Sequence, residues 1–289
     1  TQFATNYRYP HLLGEYVWTG FDYLGEPTPF NSDNTNLLNF RTDPSKRAEL
    51  EKQLAELART QPPSRSSYFG IVDLAGFPKD RYYLYQSHWR PDFPMAHILP
   101  HWNWAGREGQ IIPVHVYTSG TEAELFVNGK SYGRKTKEEG KDFRLVWDSV
   151  VYQPGSVKVI AYKGGKKWAE DEIQTAGVAR KIQLSADHAS ITGNEDELAF
   201  ITATVVDASG RKVPTACLPL KVEVTGCGEL VATDNGDPTS FTPFQSAERE
   251  SFNGLALAIV RGKKGTTGKM QGKVRGAGLE SASIEIEVK

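Results

Sequence analysis

The sequence has 289 residues, of which 39% are hydrophobic and 24% are charged. These values are typical of globular proteins, and the length is enough for two or three domains. The 34 basic and 35 acidic residues nearly cancel, so the overall charge indicates neither a nucleic-acid partner nor a membrane surface. No apolar run approaches the ~20 residues of a membrane span. The first ten residues lack an initiator methionine and do not resemble a signal peptide, so we expect the chain to be part of a longer one.

Residues 1–94 are rich in aromatic side chains and contain one helical pattern. In the stretch "DPSKRAELEKQLAELARTQPP", Asp43 is a candidate N-cap and Pro44 occupies the first helical position. Its leucines then recur with helical spacing until Pro62. We therefore predict an amphipathic helix of about four turns, with one face packed on another element.

From about residue 95 the helical period disappears, and short segments bounded by turn residues follow. Asn128-Gly129, in "LFVNGKSYG", is typical of a type I′ turn that joins two antiparallel strands. The pattern predicts a small β-sandwich over residues 95–177. Its predicted strands are 111–117, 122–127, 143–148 and 156–162.

A short linker, "QTAGVARK", precedes a second region of alternating apolar residues at 178–289. Within "FITATVVD" alternate residues are suited to opposite faces of a strand, and Asp-Ala-Ser-Gly then turns the chain. This region predicts a second antiparallel sandwich of about 110 residues. Its predicted strands lie at 181–186, within 198–213, and at 220–225, 255–260 and 283–288.

The two cysteines, Cys217 and Cys227, flank a stretch that reads largely as one strand. At roughly 3.3 Å per residue their separation is far beyond the ~7 Å limit for a disulfide. We expect two free, half-buried thiols, and cysteine usage does not settle the cellular compartment.

Near the start of the chain, "YVWTGFDY" combines aromatic residues with one carboxylate. If the stretch is a strand, Trp18 and Asp22 face the same way. Trp18 then offers a flat apolar surface to a sugar ring, and Asp22 offers an acceptor to its hydroxyl groups. The alternative is a buried strand whose tryptophan belongs to the core.

Four stretches, in this order, resemble the C-terminal part of bacterial family 2 glycoside hydrolases of the β-galactosidase type. They are "GEYVWTGFDYLGEPTPF", "SSYFGIVDLAGFPKDRYYLYQSHW", "HILPHWNWAGREGQIIPVHVYTSGTEAELFVNGKSYG" and "DNGDPTSFTPFQSAERESFNGLALAIVR". The resemblance covers nearly the whole chain, apart from an apparent insertion between the first two stretches. It implies a mainly β chain, with two immunoglobulin-like β-sandwiches (95–177 and 178–289) after the end of a (β/α)8 barrel. That incomplete barrel (1–94) would contribute its last strand and a helical segment.

The resemblance also implies retaining hydrolysis of a terminal β-galactoside, with Trp18 and, less directly, Asp22 binding the sugar. Retaining glycosidases need two carboxylates about 5–5.5 Å apart, which this family carries on earlier barrel strands. Glu15 is predicted to point away from the sugar, and Glu26 lies in a loop without a second carboxylate. We therefore expect no catalytic residue in this chain and no activity from it alone. No organic cofactor and no metal ligand set are implied.

The same resemblance implies a periplasmic or secreted enzyme that binds a β-galactoside or related oligosaccharide and is compatible with an oligomer. No nucleic-acid or membrane partner is expected. The sugar itself stays open between galactose, glucuronate and an algal galactan unit.

Other candidate motifs favour structural interpretations. Asn194-Glu195 resembles the Asn-Glu acid/base motif of these enzymes but falls in a polar turn. His97 and His101 are separated by Pro100 and would not share a helical face, which argues against a metal site. Trp102 and Trp104 are expected to pack the first sandwich against the barrel.

Two further stretches are predicted to be turns or hairpins. The segment 234–238, "DNGDP", has oxygen ligands suited to calcium but not the spacing of an EF-hand, so we expect a tight turn. The segment 261–276 has six basic residues among glycines and could touch an anionic glycan or membrane surface. A solvated hairpin is the favoured interpretation.

Two other classes of function compete with a glycosidase fragment. One is a non-catalytic carbohydrate-binding or adhesion module built from immunoglobulin-like domains, which would have no need of residues 1–94. The other is a purely structural role, in which the sandwiches support the barrel or an oligomer interface.

Overall fold

The computed structural model describes residues 2–9, 11–26, 64–194 and 196–289. The described residues form two compact units, each assembled from segments that are not contiguous in sequence. The first unit comprises Thr1–Val17, Pro78–Arg180 and Val206–Thr215, and the second comprises the described parts of Trp18–Phe77, Lys181–Val205 and Ala216–Lys289.

The first unit contains a β-sandwich of two antiparallel sheets. The three-stranded sheet has the order β1-β2-β5, and the four-stranded sheet has the order β4-β3-β6-β7. The strands are β1 (Ala96–Leu99), β2 (Val114–Thr118), β3 (Glu122–Val127), β4 (Lys130–Thr136), β5 (Leu145–Trp147), β6 (Ser156–Lys163) and β7 (Lys166–Gln174).

The core of this sandwich comes from alternate residues of both sheets. In β3 the pattern is regular, since Ala123 and Leu125 are fully buried while their neighbours are partly exposed. Trp102 lies inside this core at 1% exposure and contacts the edge of Tyr152. It was expected to pack the sandwich onto another domain. Instead its indole N–H donates to the carbonyl of Gln153 at 3.0 Å, so the ring is held within the sandwich.

Two helices belong to the first unit, α1 (Gln2–Arg8) and α2 (Asp80–Trp89). The second packs on β1 and β2. Phe3 of α1 contacts α2 through Tyr85 and His88, with ring centroids 5.5 and 4.1 Å apart.

The second unit contains another sandwich, with sheet orders β12-β14-β10-β8 and β13-β11-β15-β16-β9. The pairs β10–β14, β12–β14, β11–β13, β11–β15 and β15–β16 are antiparallel, and the pair β16–β9 is parallel. The strands are β8 (Lys181–Ala186), β9 (Ser190–Ile191), β10 (Leu198–Val206), β11 (Pro219–Gly226), β12 (Gly228–Asp234), β13 (Glu248–Glu250), β14 (Leu255–Gly262), β15 (Gly268–Gly276) and β16 (Ala282–Val288).

Close approach of the two sheets requires small residues on β12 and β15. A Cβ on Gly272 would lie 2.9 Å from the Cδ1 of Ile201, on the facing strand β10. A Cβ on Gly228 of β12 would lie 1.8 Å from the sulfur of Met270. Both Ile201 and Met270 are almost completely buried, so glycine at these places lets large side chains fill the interlayer space.

The mainly β architecture expected from the sequence is confirmed. The type I′ hairpin is also present, because Asn128 and Gly129 have φ of 49° and 79° and join β3 to β4. The helix expected from Asp43 lies outside the described residues. The barrel origin of residues 1–94 stays a prediction, and these residues divide between the two units. No described helix is long and apolar enough to cross a bilayer.

The stretch predicted as a linker is bonded to the first unit along its length. The backbone N–H of Ala176 donates to the side chain of Asn103 at 3.0 Å, and Asn103 donates back to the carbonyl of Ala176 at 2.8 Å. The N–H of Gly177 donates to the carboxylate of Asp207 at 2.9 Å. The first unit accordingly includes the chain up to Arg180, and the predicted domain boundary at 177 stays a prediction.

Both cysteines are free, as expected. Cys227 is partly buried, but Cys217 is exposed rather than half-buried because it precedes β11 in a loop.

Candidate functional site

The candidate sugar-binding segment, residues 18–26, is an extended stretch of the second unit that pairs with residues 65–72. The N–H of Asp22 donates to the carbonyl of Val72 at 2.9 Å, and the N–H of Val72 donates to the carbonyl of Gly20 at 2.9 Å. The pairing amounts to isolated bridges at Phe21 and Leu24. The continuous strand predicted for "YVWTGFDY" is therefore not formed among the described residues, because its pairing is interrupted between the two bridges.

Among the large hydrophobic residues of this segment, Trp18 is the most exposed to solvent. Its side chain is 72% exposed, and its Nε1–H donates to the hydroxyl oxygen of Tyr23 at 3.3 Å. The Tyr23 hydroxyl donates in turn to a carboxylate oxygen of Glu26. The Tyr23 ring meets Phe69 edge-on at 5.7 Å. Trp18 thus presents an open indole face whose edge is held by a hydrogen-bonded chain.

Asp22 has a different environment from Trp18, although the two were predicted to share a face. Its side chain is 5% exposed, and its Oδ1 accepts hydrogen bonds from the N–H of Gly70 at 2.8 Å and the hydroxyl of Ser67 at 3.1 Å. The alternation fails because the segment is not a regular strand at this point. Asp22 holds the loop 67–70, and its role in sugar binding stays a prediction.

Gly70 is required by this arrangement. A Cβ at this position would lie 2.2 Å from the backbone nitrogen of Asp22 and 2.4 Å from the carbonyl carbon of Phe21. Backbone atoms cannot move aside as a flexible side chain can. Glycine therefore allows the two paired segments to approach.

Two residues that orient Trp18 were missed by the sequence interpretation, namely Tyr23 and Glu26. Tyr23 falls on the opposite parity from Trp18, so a strand pattern hides the contact between them. A sequence signal for this contact is Gly25-Glu26, where both residues have a positive φ (93° and 40°) and the Glu26 carboxylate accepts from Tyr23.

Glu15, in the first unit, is hydrogen-bonded to helix α2, and its orientation relative to a sugar stays a prediction. One of its carboxylate oxygens accepts a hydrogen bond from the hydroxyl of Tyr85 at 3.1 Å. Burial and the neighbouring Glu15 charge raise the pKa of Tyr85 above its ordinary value, so this hydroxyl keeps its proton and remains a donor.

The histidines considered as metal ligands are each committed to other partners. His97 donates from Nε2 to Asp80 at 2.8 Å, whereas His101 stacks on Trp104 with ring centroids 4.6 Å apart. Across the described ranges, no group of three or more His, Cys, Asp or Glu side chains is arranged to hold a metal ion.

The turn predicted at Asn194 is confirmed. The Asn194 side-chain oxygen accepts from the hydroxyl of Thr192 at 2.7 Å and from the N–H of Asp196 at 3.2 Å, which closes a turn between β9 and β10. Glu195 lies outside the described residues.

The segment 234–238 is also a tight turn. The side-chain oxygen of Asn235 accepts from the N–H of Asp237 at 3.0 Å, and a carboxylate oxygen of Asp237 accepts from the N–H of Thr239 at 2.8 Å. These oxygens are therefore occupied by the turn itself.

The basic stretch 261–276 is not the predicted hairpin, because it runs from the end of β14 in one sheet to β15 in the other, and these two strands are not neighbours in either sheet. Lys269 pairs with Glu285 at 2.8 Å, and Arg275 pairs with Glu223. Acidic residues on neighbouring strands thus balance part of its positive charge, which favours a solvated surface.

Comparisons with known proteins agree with this arrangement of strands. A beta-galactosidase of Bacteroides ovatus, BoGH2A, is 40% identical over 95% of this chain. Residues 182–285 match the family described as Glycoside hydrolase family 2 C-terminal domain 5, and residues 109–169 match a domain of unknown function, DUF4982. The chain belongs to glycoside hydrolase family 2.

Two other relatives support the assignment. A putative beta-glucuronidase of Formosa agariphila is 30% identical over 87% of this chain. The crystal structure of a beta-glycosidase from Bacteroides vulgatus superposes on 99% of the chain with a TM-score of 0.83 and 32% identity. The chain spans 28% of the Bacteroides ovatus protein, 22% of the Formosa protein and 32% of the Bacteroides vulgatus chain.

Proposed function

We propose that this chain is part of an enzyme that hydrolyses terminal β-galactosides with retention of configuration. The observation that carries the proposal is 40% identity over 95% of the chain to a beta-galactosidase. The similarity extends through residues 1–94, which an adhesion module would not need. The relatives are three to five times longer than the stretch they share with this chain, so we assign the carboxylate pair to the rest of the enzyme.

In this proposal the chain contributes a sugar-binding surface, with Trp18 as its central residue. An indole that is 72% exposed, and whose edge is bonded to Tyr23, can stack on the apolar face of a pyranose. Asp22, bonded to Gly70 and Ser67, would act by holding the loop beside the site, with a direct hydroxyl contact as the alternative.

The substrate assignment follows the stronger similarity. The beta-galactosidase is 40% identical and the putative beta-glucuronidase is 30% identical, so a β-galactoside is favoured over a β-glucuronide. We also propose that the enzyme is periplasmic or secreted, which the resemblance to bacterial family 2 enzymes supports. Fractionation of producing cells, followed by detection of the enzyme in each fraction, tests this location.

The experiment that tests the function compares this chain with the complete enzyme on nitrophenyl β-galactoside and nitrophenyl β-glucuronide. We expect turnover of the galactoside by the complete enzyme and none by the 289-residue chain. Turnover by the chain alone, abolished by Glu26→Gln, would place the chemistry here. A complete enzyme that cleaves only the glucuronide would overturn the substrate assignment.

A further inference from the structure

A cavity of about 490 Å³ lies in the first unit, at the start of α2, the end of β7 and the loop 211–214. Ile98 and Trp102 form part of its lining and are 3% and 1% exposed, so this wall is fixed by the sandwich core. The volume falls within the ~300–1,000 Å³ typical of small-molecule sites. An inorganic anion alone would fill only a small part of it.

One wall of the cavity carries an ordered acceptor. The carboxylate of Asp80 accepts a hydrogen bond from Nε2 of His97 at 2.8 Å. The His97 ring stacks on Tyr83 with centroids 3.8 Å apart and planes 14° from parallel. The stacking of His97 on Tyr83 orients the ring that binds one carboxylate oxygen of Asp80. The second carboxylate oxygen of Asp80 can still accept a hydrogen bond from a ligand.

Another wall is built by a chain of side-chain hydrogen bonds. Arg211 donates from Nε to the amide oxygen of Gln174 at 2.6 Å, and Gln174 donates to the carboxylate of Glu172 at 2.8 Å. Arg211 also approaches Asp207 at 3.7 Å. Its charge is therefore engaged within the wall, and the Glu172 carboxylate offers further acceptor positions.

Two hydrogen-bond donors in the lining, on Lys212 and His101, are not used by the wall in the way that the Arg211 donor is. No hydrogen bond or ion pair within the described ranges involves the ammonium group of Lys212, although burial lowers its pKa against the opposing effect of Asp80. Nδ1 of His101 accepts from the N–H of Asn103 at 3.2 Å. Burial, with Lys212 as a second cause, lowers the pKa of His101, so the neutral ring carries its proton on Nε2.

The cavity therefore offers two uncommitted donors together with carboxylate and amide acceptors. Hydrogen bonds between a cationic donor and an anionic acceptor are stronger than neutral ones, so a ligand that supplies a negatively charged acceptor to Lys212 and His101 would be held there. The acceptors of Asp80 and Glu172 suit hydroxyl groups. We propose that this cavity binds a sugar acid, whose carboxylate contacts Lys212 and His101 and whose hydroxyls contact Asp80 and Glu172.

The test is calorimetric titration of the 289-residue chain with D-glucuronate, with D-glucose as the neutral control and sulfate as the simple anion. We expect saturable binding of glucuronate, at least about tenfold tighter than that of glucose, because charge-assisted hydrogen bonds are the stronger ones. Sulfate should bind more weakly than glucuronate since it leaves the hydroxyl acceptors unused.

Variants locate the site. Lys212→Met and His101→Phe should each weaken glucuronate binding at least about tenfold, whereas Lys212→Arg should retain it. Lys130→Met, at an exposed position on β4 of the same unit, is the matched control and should bind as the unmodified chain does. Thermal melts confirm folding, and His101→Phe serves as the independent test if Lys212→Met does not fold.

Three results would overturn the proposal. Absence of saturable glucuronate binding excludes the site, as does binding that Lys212→Met and His101→Phe leave unchanged. Sulfate that binds as tightly as glucuronate, and displaces it, would reduce the cavity to a simple anion site.

Discussion

At the scale of single residues, backbone groups are the main partners of several buried polar side chains. Arg249 is 2% exposed, and its guanidinium donates to the carbonyls of Thr233, Thr242 and Pro243. The Asp207 carboxylate accepts hydrogen bonds from the backbone N–H groups of Gly177, Ser209 and Arg211. The Asp22 carboxylate accepts one from the N–H of Gly70. Each of these side chains fixes a loop whose conformation local propensity alone would leave open.

The approach of Asp22 to Gly70 gives a prediction for stability. Gly70→Ala would place a methyl group against the backbone of Asp22 and should lower the free energy of unfolding by about 1–3 kcal/mol. Gly20→Ala is the matched control, because a Cβ there meets no atom within 4 Å. Urea unfolding measures both. Equal stability of the two variants would contradict the observed contact.

Asp207 gives a prediction for acid pH. Hydrogen bonds from the N–H groups of Gly177 and Arg211 hold the pKa of Asp207 below its ordinary value. A lowered folded-state pKa stabilises the protein above the unfolded value of about 3.9, and this contribution is lost as the pH falls through the folded-state pKa.

The stability difference between the unmodified chain and Asp207→Asn should therefore be constant near neutrality and shrink below about pH 4. Denaturant titrations at several pH values measure it, and a difference that grows in acid would contradict the assignment.

At the scale of secondary-structure elements, strands with a regular apolar face were predicted well. The predicted strand 122–127 has the same bounds as β3. Every second side chain of β3 is buried, and this alternation is the pattern from which the strand was predicted. Among the strands that were not predicted, β7 is rich in lysines and acidic residues, and β15 is rich in lysines and glycines. In β15 the buried face consists of Met270, Gly272 and Val274, and the glycine is needed because Ile201 occupies the facing space. Such complementarity between sheets cannot be read from a single segment.

The end of β4 gives a prediction for alkaline pH. Lys137 follows this strand and donates to the carbonyl of Thr118 at 2.7 Å. Burial, reinforced by the charge of Lys163, lowers the pKa of Lys137 to about 8. Between about pH 8 and the unfolded value of about 10.4, the unfolded chain binds a proton that the folded chain has released, so stability rises with pH.

Lys137→Met removes this titration. The free energy of unfolding of the unmodified chain should rise relative to that of Lys137→Met by up to about 1.4 kcal/mol per pH unit in that window. Lys130→Met, at an exposed position of the same strand, should show no such change relative to the unmodified chain. A constant difference for Lys137→Met between pH 7 and 10 would contradict the lowered pKa.

At the scale of the whole molecule, the mainly β fold class and the family were predictable, but the composition of the two units was not. Residues 206–215 begin at the last residue of β10, whose other residues belong to the second unit, yet they belong to the first unit, where Lys212 lines a cavity with His101. Lys212 and His101 are more than 100 positions apart in the sequence, so their proximity could not be predicted from it. The sugar-binding role of Trp18 stays a prediction from the resemblance. The contact of Trp18 with Tyr23 could not be predicted, because the extended segment lacks the regular strand pairing that the prediction assumed.

The central claim is that this chain supplies Trp18 to the sugar-binding site of a larger glycosidase, and steady-state kinetics of Trp18→Ala in the complete enzyme test it most directly. We expect kcat/KM for a β-galactoside to fall by about 2–4 kcal/mol in transition-state terms, with little change in melting temperature because the side chain is 72% exposed. Phe241→Ala, at another exposed aromatic of the second unit, should leave both quantities unchanged. An unchanged kcat/KM in Trp18→Ala, accompanied by a melting temperature many degrees lower, would contradict the account and make Trp18 a structural residue.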